Sequence, residues 1–188
     1  MAIIFRAALV ASATGLLAAC GTSGSGDATP TLRGTNVTRI HLEAEIARGE
    51  VAVEPRFATQ AVGGVYQPGY ATAVVGELRT LGFTPSATPA TSEFVATVDV
   101  ATGTMATLKA RTPATGMAPA ATAADPNAVA SQLAVQLKRR SDGSIVWEGQ
   151  AQTAARAGAA PTVSTVQRLA RALFRDFPGE SGRTINVR

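Results

Sequence analysis

Residues 131–152 constrain the fold more than any other stretch of this chain. Leu133, Val135 and Leu137 alternate with Ala134, Gln136 and Lys138; Ile145 and Trp147 alternate with Val146 and Glu148. A period of two sends successive side chains to opposite faces, so each run reads as a strand with one apolar face. Between the runs lies Ser141-Asp142-Gly143, whose glycine readily takes the positive φ of a tight turn. The segment predicts an antiparallel hairpin, 131–140 with 144–152, and Trp147 should pack beneath a helix as a core anchor. The alternative for Trp147 is a platform for stacking on a ligand or partner.

Two stretches carry the helical period instead. Pro68 opens the first, where its fixed φ is an advantage. Tyr70, Ala73, Val74, Leu78 and Leu81 recur at three- and four-residue spacing with Glu77 among them, and Gly82 ends the helix so that Phe83 can pack back. Gly76 costs such a helix about 1 kcal/mol against alanine, which a close approach to the sheet would justify. The second follows Pro161: Val163, Val166, Leu169, Ala170, Leu173, Phe174 and Phe177 form its apolar stripe, and Pro178-Gly179 stops it. Further strands are expected at 36–42, with Ile40 and Leu42 sharing a face, at 51–54 before Pro55, at 93–102 and at the 184–187 edge. Residues 57–67 read as a loop. Residues 112–127 are Ala, Thr, Pro and Gly with almost no large apolar side chain, and read as a mobile exposed loop. The predicted fold class is α+β: a mostly antiparallel sheet with two helices packed on one face.

The N-terminus predicts location. Arg6 precedes an apolar run from Ala7 to Leu17, which is too short to span a bilayer needing ~20 residues. Leu17-Ala18-Ala19-Cys20 resembles the bacterial lipobox. In such precursors the chain is cut before the cysteine, whose thiol and new amine are acylated; two or three acyl chains give stable anchoring. Residues 1–19 are then a lipoprotein signal peptide, and residues 20–34 a flexible tether that begins at lipidated Cys20. Residues 35–188 form a single α+β domain of roughly 150 residues. Cys20 is the sole cysteine, so no disulfide is available. Gly21, where an aspartate would mark inner-membrane retention in well-studied enterobacteria, points to the outer membrane, lipid-anchored and facing the periplasm. The inner membrane is the alternative, since this sorting rule varies.

The chain carries 17 basic and 13 acidic residues, a mild net +4. That balance permits attraction to anionic lipid or wall surfaces. Location and the lack of aromatics among the basic residues disfavour nucleic acid. Catalytic constellations do not assemble from the sequence. His41 is the sole histidine and lies in a strand, where a satisfied structural or exposed ring outweighs a triad base. Glu43 and Glu45 read as a solvated edge rather than a glycosidase pair. No metal-ligand spacing or phosphate loop is present, so no metal and no cofactor are expected. The most suggestive group is Arg168, Arg171 and Arg175, along one side of the last helix. It fits first a solvated face with cations near the helix C-terminus; the sharper alternative is a contact for lipid phosphates, wall carboxylates or an acidic partner.

Several segments together carry a resemblance: Val37-Thr38-Arg39 with a strand ending Val53-Glu54-Pro55, Glu77-Leu78 through Gly82-Phe83, Val146-Trp147-Glu148-Gly149, and Leu173 through Gly182. The chain resembles the domain-of-unknown-function family 4136 of bacterial lipoproteins over residues 35–188. Its most specific pieces are the tryptophan hairpin and Phe177-Pro178-Gly179, which mark Trp147, Phe177, Pro178 and Gly179 as structural. Members often carry a glycine-rich stretch before the hairpin, where this chain is rich in alanine and threonine. The resemblance implies an α+β lipoprotein and brings no catalytic residues. The expected function is thus a non-enzymatic envelope lipoprotein: an accessory, scaffold or protein-binding module in the periplasm, held to the membrane by its acyl chains and meeting an envelope protein partner. The alternative is a periplasmic binding module for a peptidoglycan fragment or lipid ligand.

Overall fold

The hairpin forms as its alternation requires. In the computed structural model, which describes residues 34–42, 45–56, 67–111 and 125–188, β5 (Val129–Arg139) pairs antiparallel with β6 (Ile145–Ala154). Leu137 lies opposite Trp147 and Val135 opposite Gly149. Gly143 takes φ +71°, and the Asp142 carboxylate accepts the Ser144 amide at 2.9 Å. The register slips between Leu137 and Lys138, leaving Val146 as the extra residue, and Val146 and Trp147 both join the core.

The remaining strands are β1 (Thr35–His41), β2 (Glu50–Pro55), β3 (Thr84–Ser86), β4 (Phe94–Thr104) and β7 (Thr184–Val187). The seven form one mixed sheet in the order β3-β2-β4-β5-β6-β1-β7. Pairing is antiparallel from β4 through β7, and parallel where β2 meets β3 and β4. Helix α1 (Pro68–Thr80) supplies the crossover from β2 to β3, the connection a parallel pair needs. Helix α3 (Val163–Phe174) follows β6.

Phe94, Ala96, Val98 and Val100 of β4 share the core with Leu133, Val135 and Leu137 and with the buried stripes of α1 and α3. Burying each large side chain of this set contributes about 1.5–3 kcal/mol. The two helices lie side by side and run the same way. At their starts, a Cβ on Gly69 would stand 2.9 Å from a Val163 methyl, and the Tyr70 hydroxyl donates to the Pro161 carbonyl. At their ends, Phe83 meets Phe177 edge-on at 6.1 Å. Gly82 at φ +91° ends α1, and the Phe83 amide turns back to the Leu78 carbonyl.

Four features depart from the sequence reading. Gly76 is exposed with open space where its Cβ would be, so no close approach to the sheet explains it. On β1 it is Val37 and Arg39 that face the helix layer; Ile40 is buried on the opposite face, and Leu42, which shares that face, is 70% exposed. α3 ends at Phe174, because Asp176 takes φ +56°, and Phe177 packs from the turn beyond it. A helix without a sequence signal, α2 (Met105–Arg111), buries Leu108 against Ala101 and Ala130, residues that alternate with Val100 and Leu133 and so face away from α1 and α3. Residues 112–124 of the expected mobile loop 112–127 lie outside the described residues. From Asp125 the chain makes a turn closed by the Ala128 amide on the Asp125 carbonyl at 2.9 Å.

Candidate functional site: the arginine-rich end of the helix layer

Two helices ending at the same place present two sets of carbonyls without intrahelical partners. The chain answers with two arginines from elsewhere. Arg39 on β1 is 3% exposed, and its guanidinium donates to the carbonyls of Leu173 at 2.8 Å, Ala172 at 3.0 Å and Arg175 at 2.8 Å. Arg48 donates to the Leu81 carbonyl at 2.9 Å and to the Ile46 carbonyl. Its guanidinium lies over the rings of Phe83 and Phe177, 5.1 and 4.8 Å from their centroids, a cation–π clamp between the helix ends. Burial pulls Arg39 below its ordinary pKa; Asp176 draws it back up and the Arg175 charge depresses it further.

The turn 175–182 is fitted around Arg39. Gly179 takes φ +80°, and a Cβ there would stand 2.6 Å from the Arg39 Cδ. The preceding Phe177–Pro178 peptide is cis. Trp147, 1% exposed, donates its ring N–H to the Pro178 carbonyl at 3.0 Å, stacks on Phe174 at 5.3 Å and leans on Phe177 at 5.2 Å. Its ring lies over Gly149, where a Cβ would come within 2.4 Å of it. Trp147, Phe177, Pro178 and Gly179 therefore act together as a lock on the end of α3, and Trp147 is a core anchor with no face free for stacking.

His41 belongs to the same turn. Its Nε2 stands 3.0 Å from the Gly179 carbonyl, and its backbone amide donates to Ser181 Oγ at 3.1 Å. A carbonyl only accepts, so Nε2 carries the proton and is no base there. Among the described residues no group of three His, Cys, Asp or Glu could hold a metal ion. Glu45 is exposed, whereas Glu43 lies outside the described residues, as does Cys20 with its signal and tether.

Arg168 and Arg171 are exposed on one side of α3, three residues apart, and exposed Arg175 follows at its C-cap, where the chain leaves the helix, rather than within the helix as the sequence reading has it. Arg175 meets Asp176 at 3.7 Å, with both side chains mostly in solvent. Among the described residues the side chains of Arg168 and Arg171 have no hydrogen-bond or ion-pair partner. Sequence reasoning found this stripe and missed Arg39 and Arg48; the adjacency of Arg39 to Val37 in period was the one signal available for the former. Chemically the end of the layer offers guanidinium donors, whose planar forks match the oxygens of carboxylates and phosphates.

No family model matches the chain. An uncharacterised protein of Zymomonas mobilis is 44% identical over 64 residues, 33% of this chain and 24% of that protein, so the match spans about a quarter of the relative's length. A PelC dodecamer from Paraburkholderia phytofirmans aligns with 74% of this chain and 93% of its own at 14% identity and a TM-score of 0.43. A PDZ domain protein from Parabacteroides distasonis aligns with 82% of this chain and 39% of its own, at 9% identity and a TM-score of 0.50, a likeness of fold alone. Among the described residues no helix is long and apolar enough to cross a membrane.

Proposed function

We propose that this chain is an envelope lipoprotein of the family 4136 type that works without catalysis, as an accessory, scaffold or protein-binding module tethered through acylated Cys20 and facing the periplasm. The observation that carries the reading is the division of its arginines. Arg39 and Arg48 are consumed in capping the helix ends, whereas among the described residues the side chains of Arg168 and Arg171 on α3 have no partner and Arg175 holds only a solvent-exposed one. Unpaired cations on a rigid helix favour a non-covalent contact with an anionic surface. The lipobox-like Leu17-Ala18-Ala19-Cys20 supports the tether and the outer-membrane location.

The test has two arms. Metabolic labelling with palmitate should tag the chain, and Cys20→Ala should abolish the tag and leave the precursor uncut. In-cell crosslinking from α3 should then trap an envelope component in the wild type, reduced at least tenfold when Arg168, Arg171 and Arg175 are changed to glutamate. An untagged wild-type chain overturns the tether. Crosslinking that ignores the three arginines overturns their role as the contact.

A further inference from the structure

Resting on that reading, we infer that the component met by this surface is the bilayer itself: the outward side of the helix layer docks on anionic phospholipid. Two observations carry the choice. First, the stripe is wider than α3. Because α1 and α3 end together, Arg79 in the last turn of α1 belongs to the same end of the layer, exposed and likewise without an ion-pair partner among the described residues. Against Arg79, Arg168, Arg171 and Arg175, the outward acids of the two helices and their ends are half-buried Glu77, the Asp176 already beside Arg175, and Glu180, which Arg183 meets at 2.7 Å. Guanidinium forks match phosphate oxygens two at a time, and each cation near an anionic leaflet adds attraction.

Second, the tether allows it. β1 is about 23 Å long and starts at the far end of the domain from the arginines. Residues 20–33 extend up to about 50 Å, so a chain anchored at Cys20 can lay this end on its own membrane, where tethering makes the local concentration high.

The test uses the full acylated chain reconstituted in vesicles. Acylation occupies the Cys20 thiol, so Gln167→Cys, exposed beside Arg168 and Arg171, takes a single environment-sensitive fluorophore. In vesicles with about one-third phosphatidylglycerol, emission should shift to the blue and iodide quenching should fall at least threefold relative to pure phosphatidylcholine. About 1 M salt, which shortens the Debye length to about 3 Å, should reverse both changes without any further substitution. Charge reversal of Arg168, Arg171 and Arg175 should do the same with Trp147 emission unchanged. A fluorophore that reports the same surroundings in both vesicles overturns the inference, and arginine-dependent sedimentation with insoluble peptidoglycan would then assign the surface to the wall. Absence of acyl mass on Cys20 overturns the lipoprotein reading itself, an outcome read by mass spectrometry before any vesicle is made.

Discussion

Gly179→Ala is the sharpest perturbation of the lock at the end of α3. Two costs add. The first is conformational: φ is +80° at Gly179, and an L-residue held in the left-handed region costs about 1–2 kcal/mol. The second is steric. The new Cβ would stand 2.6 Å from Arg39 Cδ and 2.7 Å from one of its guanidinium nitrogens. Arg39 cannot swing aside cheaply, because it is buried and its guanidinium serves three carbonyls. Losing even one such charged hydrogen bond costs about 1.5–3 kcal/mol. The expected loss is therefore about 3–5 kcal/mol, a large part of the ~5–15 kcal/mol that holds a domain together.

Gly182 supplies the control. Its φ is +79°, yet nothing lies within 4 Å of where its Cβ would be, so Gly182→Ala should lose the conformational part alone. Trp147, the sole tryptophan and a direct partner of the Pro178 carbonyl, reports unfolding of this region in urea or on heating. With about 2–4 °C per kcal/mol for a domain of this size, Gly182→Ala should lower Tm by about 2–8 °C and Gly179→Ala by about 6–20 °C. Arg39→Met should itself destabilise strongly, and in that background Gly179→Ala should cost little more than Gly182→Ala, since the two residues share one contact. Equal losses for the two glycines would refute the argument that the turn is fitted around Arg39.

Two further outcomes follow from single side chains. Gly76→Ala should stabilise the protein by about 0.5–1 kcal/mol, because the site is exposed, helical and open at Cβ; a lower urea midpoint would contradict this. Burial raises the Tyr70 phenol above its ordinary 10.0, so its contribution is complete below that pH and is lost as pH climbs through the folded value. Tyr70→Phe should cost about 1 kcal/mol at neutral pH for the bond to the Pro161 carbonyl, and should flatten the loss of stability above pH ~10. An unchanged alkaline slope would rule Tyr70 out as its source.

What the sequence disclosed about the fold is what local rules govern. The hairpin, both long helices, the stop of α1 at Gly82 and the start of α3 after Pro161 depend on residues within a few positions of one another, and all are present. β1 misled because its core face carries Arg39: a charged residue breaks the apolar alternation, and only carbonyls more than 130 positions away make its burial tolerable. β3 is three residues long with Pro85 at its centre, and it exists because the α1 crossover delivers it alongside β2. α2 is a single short helix with Leu108 as its buried side chain, too brief for a period to declare itself.

The same distinction divides the candidate site. In sequence Arg39, Arg48, Arg168, Arg171 and Arg175 are five equivalent cations, and the stripe on α3 was legible only because helical spacing is local. Which of them are free is a tertiary fact. Two parallel helices ending side by side gather a surplus of carbonyls, and the arginines nearest in space, from β1 and from the segment before β2, are drawn in to satisfy them. Charge is thus sorted by the fold into cations that hold the helix ends and cations that face outward. The two groups should separate under mutation: loss of Arg39 lowers stability wherever the protein is measured, whereas reversal of Arg168 and Arg171 leaves the unfolding free energy within about 0.5 kcal/mol of wild type, as for exposed sites in general, and changes only what the surface meets. A loss of stability from Arg168→Glu and Arg171→Glu as large as that from Arg39→Met would mean that the stripe belongs to the fold, and that the outward face of this domain has still to be found elsewhere.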